Sequence, residues 1–247
     1  NGNGPTFVAW CWKAGGTAAS NTDGSITSSV SANAQYGFSV VTYTGTGSAA
    51  TVGHGLNTRP SLVIYKDRSA AESWEVWVEG FSSNEYMYLN LTDAKSSYSG
   101  TFGSTPTNSV FGVGNQGNNQ SGNNFVAYCF ANVPGYQRIG SYTGNGSSTG
   151  PVVVTGFKPR FLLIKGDNTS GWVMYDSERD SVNPNNYRLQ ANSSGAESTG
   201  DANTNIDFLD NGFQLKNSDS DSNGSGVTYV YLAIGDDEIG SDEDCLV

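Results

Sequence analysis

The side chains that do most biological chemistry are scarce in this sequence. Its 247 residues hold one histidine, three cysteines and 12 basic residues against 23 acidic ones, a formal net charge of −11. A single histidine, His54 in Gly53-His54-Gly55, excludes a His-rich metal site, and no Ser-His-Asp signature accompanies it; it reads as a structural loop residue. Three cysteines without a short spacing, Cys11, Cys129 and Cys245, exclude a disulfide framework and a zinc site. Cys11 and Cys129 lie in aromatic-rich runs and are expected to be buried as small hydrophobes, and Cys245 is misplaced for prenylation. The deficit of positive charge argues against nucleic acid and anionic membranes as partners. No apolar run approaches the ~18 residues that a membrane helix needs. Helical periodicity, a Walker loop and a dinucleotide fingerprint are all missing. We expect no enzymatic activity.

What is abundant is glycine (32 residues), with much Ser, Thr and Asn, and 12% aromatics. Gly and Asn supply the positive-φ positions of tight hairpins, and the aromatics supply apolar surface that a disordered chain lacks. Runs such as Val40-Val41-Thr42-Tyr43, Ser61 to Tyr65 and Trp74-Glu75-Val76-Trp77-Val78 are β-branched or aromatic, or alternate as half-buried strands do. Pro60 and Pro159 stand at the start of such runs, where a missing N–H costs little. The chain opens on Asn-Gly-Asn-Gly rather than Met, from which we expect processing or a longer parent.

Self-similarity organises these strands. Thr42-Tyr43-Thr44-Gly45-Thr46-Gly47 returns as Ser141-Tyr142-Thr143-Gly144-Asn145-Gly146, and Arg59-Pro60-Ser61-Leu62-Val63-Ile64-Tyr65-Lys66 as Lys158-Pro159-Arg160-Phe161-Leu162-Leu163-Ile164-Lys165, both at an offset of 99. Trp74 matches Trp172 at 98, Leu89 matches Leu189 at 100 and Phe111 matches Phe213 at 102. Phe125-Val126-Ala127-Tyr128-Cys129-Phe130-Ala131 matches Tyr229-Val230-Tyr231-Leu232-Ala233-Ile234-Gly235 at 104. The preserved order and small drift predict two tandem, related β-sandwich or jelly-roll-like repeats, A over 36–134 and B over 135–235. Phe7-Val8-Ala9-Trp10-Cys11-Trp12-Lys13-Ala14 echoes the last block. We therefore expect residues 1–35 to be a strand left from a preceding repeat plus a Ser/Thr/Gly-rich connector, and 236–247 to be an acidic tail.

Few clusters carry chemistry. Asp176, Glu178 and Asp180 alternate, and glycosidases use paired carboxylates but on separated elements; Arg179 and Arg188 stand near enough to make a salt-bridge cluster the expected outcome. Asp219-Ser220-Asp221-Ser222-Asn223-Gly224 matches the first half of an EF-hand loop, yet Val230 stands where the bidentate Glu belongs. No cofactor is expected, with Asp219, Asp221 and Asn223 the one weak set for calcium. Asn-x-Ser/Thr triplets such as Asn90-Leu91-Thr92 follow from composition. Trp77, Tyr86, Tyr88 and Tyr187 are candidates to stack on sugar rings, while the repeated Trp74 and Trp172 are expected in the core. Phe7, Val8, Trp10 and Trp12 are candidates for assembly, because an unpaired apolar strand can pair with another subunit's sheet.

Several blocks together resemble a repeated β domain of uncharacterised function found in structural proteins of tailed phages, especially marine and freshwater ones. They are Phe125 to Ala131, Val133-Pro134-Gly135-Tyr136, Gly140 to Gly146, Thr155-Gly156-Phe157-Lys158-Pro159-Arg160, Tyr175-Asp176-Ser177-Glu178-Arg179-Asp180 and Ile206-Asp207-Phe208-Leu209-Asp210-Asn211-Gly212-Phe213, with Thr51-Val52-Gly53-His54-Gly55-Leu56 from repeat A. The resemblance implies a virion-surface role in a tail fibre or capsid decoration, and it brings no catalytic residues. Partners would then be other virion proteins or copies of the chain in a homo-oligomer, and a host-surface glycan. The alternative is a secreted or cell-surface carbohydrate-binding adhesin. After Ile234 the acidic tail departs from the family pattern.

Overall fold

The computed structural model describes residues 7–115 and 117–236. They form eighteen strands and one 3-10 turn, Ala202–Thr204, and every strand ladder is antiparallel. In the first half these are β1 (Ala19–Asn21), β2 (Ser28–Asn33), β3 (Phe38–Thr44), β4 (Ala50–Gly53), β5 (Leu62–Asp67), β6 (Glu75–Val78), β7 (Glu85–Tyr88), β8 (Ser96–Ser97), β9 (Val110–Val113) and β10 (Asn124–Phe130). The second half contains β11 (Gln137–Thr143), β12 (Val152–Val154), β13 (Pro159–Gly166), β14 (Val173–Asp176), β15 (Leu189–Gln190), β16 (Ile206–Leu209), β17 (Gly212–Leu215) and β18 (Thr228–Gly235).

Each half is a large sheet covered on one face by a small one. The first half has the order β1-β2-β3-β10-β5-β6-β7-β8 with the pair β4-β9; the second has β11-β18-β13-β14-β15 with β12-β17-β16. The run β3-β10-β5-β6-β7 has the same connectivity as β11-β18-β13-β14-β15, and β4-β9 the same as β12-β17. The central strands explain why so much of the sequence reads as continuous apolar runs. Along β10, Phe125, Ala127 and Cys129 point into the core beneath β4-β9, while Phe130 points the other way. Along β18, Tyr229, Tyr231 and Ala233 fill the core beneath β12-β17-β16, while Val230, Leu232 and Ile234 face outward from it. The two large sheets bury those outward faces against each other: Phe38, Leu62, Ile64, Val76 and Met87 meet Ile139, Phe161, Leu163 and Trp172. The result is four β layers around three apolar cores, a sandwich-like all-β architecture.

Two expectations for residues 1–35 need correction. The expected connector supplies β1 and β2, which extend the sheet beyond β3. Its strands lack large apolar residues because only Ser28 and Val30 turn fully inward there. Conversely, residues 7–14 join no ladder. Besides a hydrogen bond from Asn33 Nδ2 to Lys13 O, they hold to the protein by side chains: Trp10 and Trp12 lie over the seam between the large sheets, touching Phe161 of one half and, through Trp12, Phe38 and Phe130 of the other at ring separations of 5.5–6.4 Å. Of the acidic tail, only Asp236 is described, and residues 237–247 lie outside the described residues.

Candidate functional site

The strand alternation on β6 and β7 builds the most distinctive cleft. Met87 points into the seam, so its neighbours Tyr86 and Tyr88 project from the opposite face. Glu75 pairs with Tyr88 across the ladder and with Tyr65 on the other side, and shares its face with the core residue Trp77. The two tyrosine rings stand 5.1 Å apart at 62°. With Glu72, Tyr98, Thr101, Gly117 and Gln120 they enclose an open cavity of about 280 Å³ around Glu75. Tyr98 is 55% exposed at its rim, whereas Glu75 is only 9% exposed.

Asn118 anchors the Glu75 carboxylate. Its Nδ2 donates to Glu75 Oε2 (2.7 Å) and to Thr101 O (2.8 Å), and its Oδ1 accepts from the Gly114 N–H (3.0 Å). Gly117 stands beside it, where a Cβ would lie 2.4 Å from Glu75 Oε1 and force that carboxylate to shift. Burial pushes the Glu75 carboxyl up to about 7; the Asn118 hydrogen bond opposes that shift and the charge of Glu72 adds to it. Burial also raises the Tyr88 hydroxyl, with neighbouring Tyr86 contributing, which keeps that phenol neutral and able to donate. In the second half, Val173 follows Trp172 as Glu75 follows Trp74, and it is fully buried. The framework therefore has no need of a carboxylate at this place. A buried, perturbed acid in an aromatic-lined cleft makes this the candidate site.

The remaining candidates are dispersed. Trp77 is fully buried, with the Arg59 guanidinium 5.6 Å from its ring, and has no free face for a sugar; being on the inward side of β6 makes it core. Tyr187 lies in the second half, half-buried and away from the cleft. Trp172 belongs to the seam, where its Nε1 donates to Tyr88 O of the other half (2.8 Å), and Trp74 packs there against Tyr128. Asp176 accepts from Trp10 Nε1 and pairs with Arg179; Glu178 pairs with Arg160, and Asp180 accepts the Asn186 N–H. Arg188 is not part of that group, as the sequence had suggested, but is bound to Asp219 and Asp221.

The three residues of the calcium set each have other partners. Asp219 and Asp221 face Arg188, and Asp221 additionally accepts from Gly171 N and Gln190 Nε2. Asn223 is fully buried and serves the backbone: its Oδ1 accepts from Asn145 N (2.9 Å) and its Nδ2 donates to Ser147 O (2.8 Å) and Asn217 O (2.6 Å). Asn119 does the same in the first half, accepting from Thr46 N (2.9 Å) and donating to Ser48 O (2.6 Å) and Gly114 O (2.8 Å). Among the described residues no three His, Cys, Asp or Glu side chains gather as metal ligands.

His54 is buried, its Nδ1 accepting from the Leu56 N–H, so that the proton sits on Nε2 and points to Thr107 O. Burial lowers its pKa and keeps it neutral. Cys129 is buried and its thiol is pushed up to about 12, while Cys11 is exposed, contrary to expectation, because it alternates with the inward Trp10 and Trp12. Phe7 is 90% exposed and Val8 exposed, so of the four assembly candidates only Trp10 and Trp12 are engaged within the chain. They border an apolar cavity of about 390 Å³ in the seam.

The sequence did not single out Glu75 or Asn118. The signal for Glu75 was present, since it stands two residues from Trp77 and must share its inward face. Asn118 has no such signal, being one polar residue in a polar loop. The chain matches no curated protein and no solved structure. A family model does match residues 1–237, both halves and the N-terminal segment together, and the chain belongs to that family, described as Domain of unknown function (DUF7483).

Proposed function

We propose that this protein is a non-enzymatic, adhesive structural component of a phage particle, a tail-fibre segment or capsid-surface decoration, that binds host-surface carbohydrate in the Glu75–Tyr86–Tyr88 cleft. One observation carries the binding reading: an open cavity of sugar-sized volume is walled by tyrosines around a buried carboxylate that the framework does not need. Aromatic faces stack on the apolar faces of sugar rings, while a fixed carboxylate and phenol hydroxyls orient the hydroxyl groups. The phage assignment rests on the sequence resemblance, and the reading as a secreted or cell-surface adhesin differs from it only in what carries the domain.

We also read the chain as two tandem copies of one module, spanning about 36–134 and 135–235. The shared strand order supports this, as do Asn119 and Asn223, which clip equivalent turns at Thr46-Gly47 and Asn145-Gly146. Duplication leaves one copy free to keep the scaffold while the other acquires a site. A glycan array with the full chain and a Tyr86→Ala/Tyr88→Ala variant tests the proposal. Binding that the double variant loses supports it; an array without binding, or binding indifferent to both tyrosines, overturns it.

A further inference from the structure

Resting on the carbohydrate reading above, we propose that the ligand is an aminated sugar, whose ammonium group sits against the Glu75 carboxylate and the Tyr86 and Tyr88 rings. The charge balance of the cleft points there. Burying a carboxylate is costly unless a cation or several donors meet it. Asp67, also buried, has Ser69 N, Ala70 N and Asn123 Nδ2 as donors. Asp176 has Arg179, and Asp219 and Asp221 have Arg188. Glu75 has Asn118 on one oxygen and forms no ion pair among the described residues. Among the described residues no Lys, Arg or His lines its cavity, and the other charged side chain there, Glu72, has the same sign.

Such a site rejects carboxylated or sulfated sugars by repulsion. A neutral sugar gains ring stacking but leaves the carboxylate without a counter-charge. An ammonium supplies that charge, and two rings set at 62° offer it electron-rich faces as well. The Gly117 backbone, which leaves Glu75 Oε1 uncovered by any side chain of its own, keeps the approach open.

Calorimetric titration of the full chain at pH 7, where a share of both the sugar amines and the Glu75 carboxyl is charged, and at about 0.3 M salt, where surface attraction is screened, separates the possibilities. The probes are a β-1,4-linked glucosamine tetramer and its fully N-acetylated counterpart, which differ in the ammonium. We expect the aminated tetramer to bind about tenfold more tightly, the scale of one charge-assisted contact, and Glu75→Gln to abolish that preference. Asp210→Asn, which removes one exposed charge from the other half, should preserve it. Unfolding curves of both variants establish that they are folded. Equal or tighter binding of the acetylated tetramer overturns the ammonium assignment and leaves the carbohydrate reading standing. A preference that survives Glu75→Gln, or disappears equally in Asp210→Asn, also overturns it, because the attraction is then to net charge. Binding of neither tetramer overturns the aminated-sugar assignment, while the carbohydrate reading stands or falls on the glycan array.

Discussion

Replacing Glu75 with Gln should make the protein more stable, and only above a definite pH. The carboxyl titrates near its ordinary 4.5 in the unfolded chain and at about 7 in the folded one. Between those values the folded state holds a proton that the unfolded state has lost. Stability therefore falls as pH rises from about 4.5 to about 7 and levels off beyond. A difference of that size, at 1.36 kcal/mol per pH unit, corresponds to about 3 kcal/mol. Gln keeps a carbonyl to accept from Asn118 and cannot ionise, so it avoids the loss. Urea unfolding at pH 4, 6 and 8 should find the Gln variant equal to the parent at pH 4 and ahead by up to about 3 kcal/mol at pH 8. His54 and other groups titrate in both proteins and cancel from the difference. Glu75→Val, which copies the second half, should gain less, because Asn118 then loses its buried acceptor. A difference that does not vary with pH, or a Gln variant that is less stable at pH 8, would refute the reasoning. A residue that weakens the fold at neutral pH is the mark of a site kept for binding.

Three further outcomes follow from the scaffold. Asn119→Ala and Asn223→Ala should each cost about 2–3 kcal/mol in urea unfolding, since each strands several buried backbone groups; a near-neutral effect at one position would contradict their equivalence. Trp10→Ala with Trp12→Ala should lower stability by about 2–4 kcal/mol in all, as half-buried rings, and increase binding of an apolar fluorescent dye at the uncovered seam; unchanged stability would mean that the segment does not hold the halves together. In a Cys245→Ser background, Cys11 should react at once with a thiol reagent and Cys129 only on unfolding, its thiolate being suppressed by burial; two fast thiols would refute the placement.

The framework was legible where large apolar residues repeat. Phe125 to Ala131 and Tyr229 to Gly235 are buried on both faces, so each is an unbroken apolar block, and their match is easy to see. The strand β2 escaped notice because its inward positions are Ser28 and Val30, which resemble linker composition. The segment Phe7 to Ala14 looks like those central strands in sequence but makes no ladder; its Trp side chains pack on the seam, and Lys13 O accepts from Asn33 Nδ2. The site was half legible. Tyr86 and Tyr88 stood out as aromatics at alternate positions, but Trp77 gave the same signal from the opposite circumstance, full burial. Composition cannot tell an aromatic that faces the core from one that faces a cleft beyond the edge of the covering sheet. The polar residues that matter most, Asn118, Asn119 and Asn223, lie in loops whose composition is that of any turn, and their roles depend on distant chain segments, 43 residues away for Asn118 and 73 and 78 for Asn119 and Asn223.

The central claim is that the Glu75–Tyr86–Tyr88 cleft of the first half binds sugar and that the second half, with Val173 in place of the acid, does not. A crystal structure of the protein soaked with whichever oligosaccharide binds most tightly tests it most directly. One ring should lie against Tyr86 and Tyr88 with a polar group at Glu75, and no sugar should occupy the corresponding place beside Val173. Sugar bound at the seam cavity, at the second half, or elsewhere with the tyrosine cleft empty would contradict it.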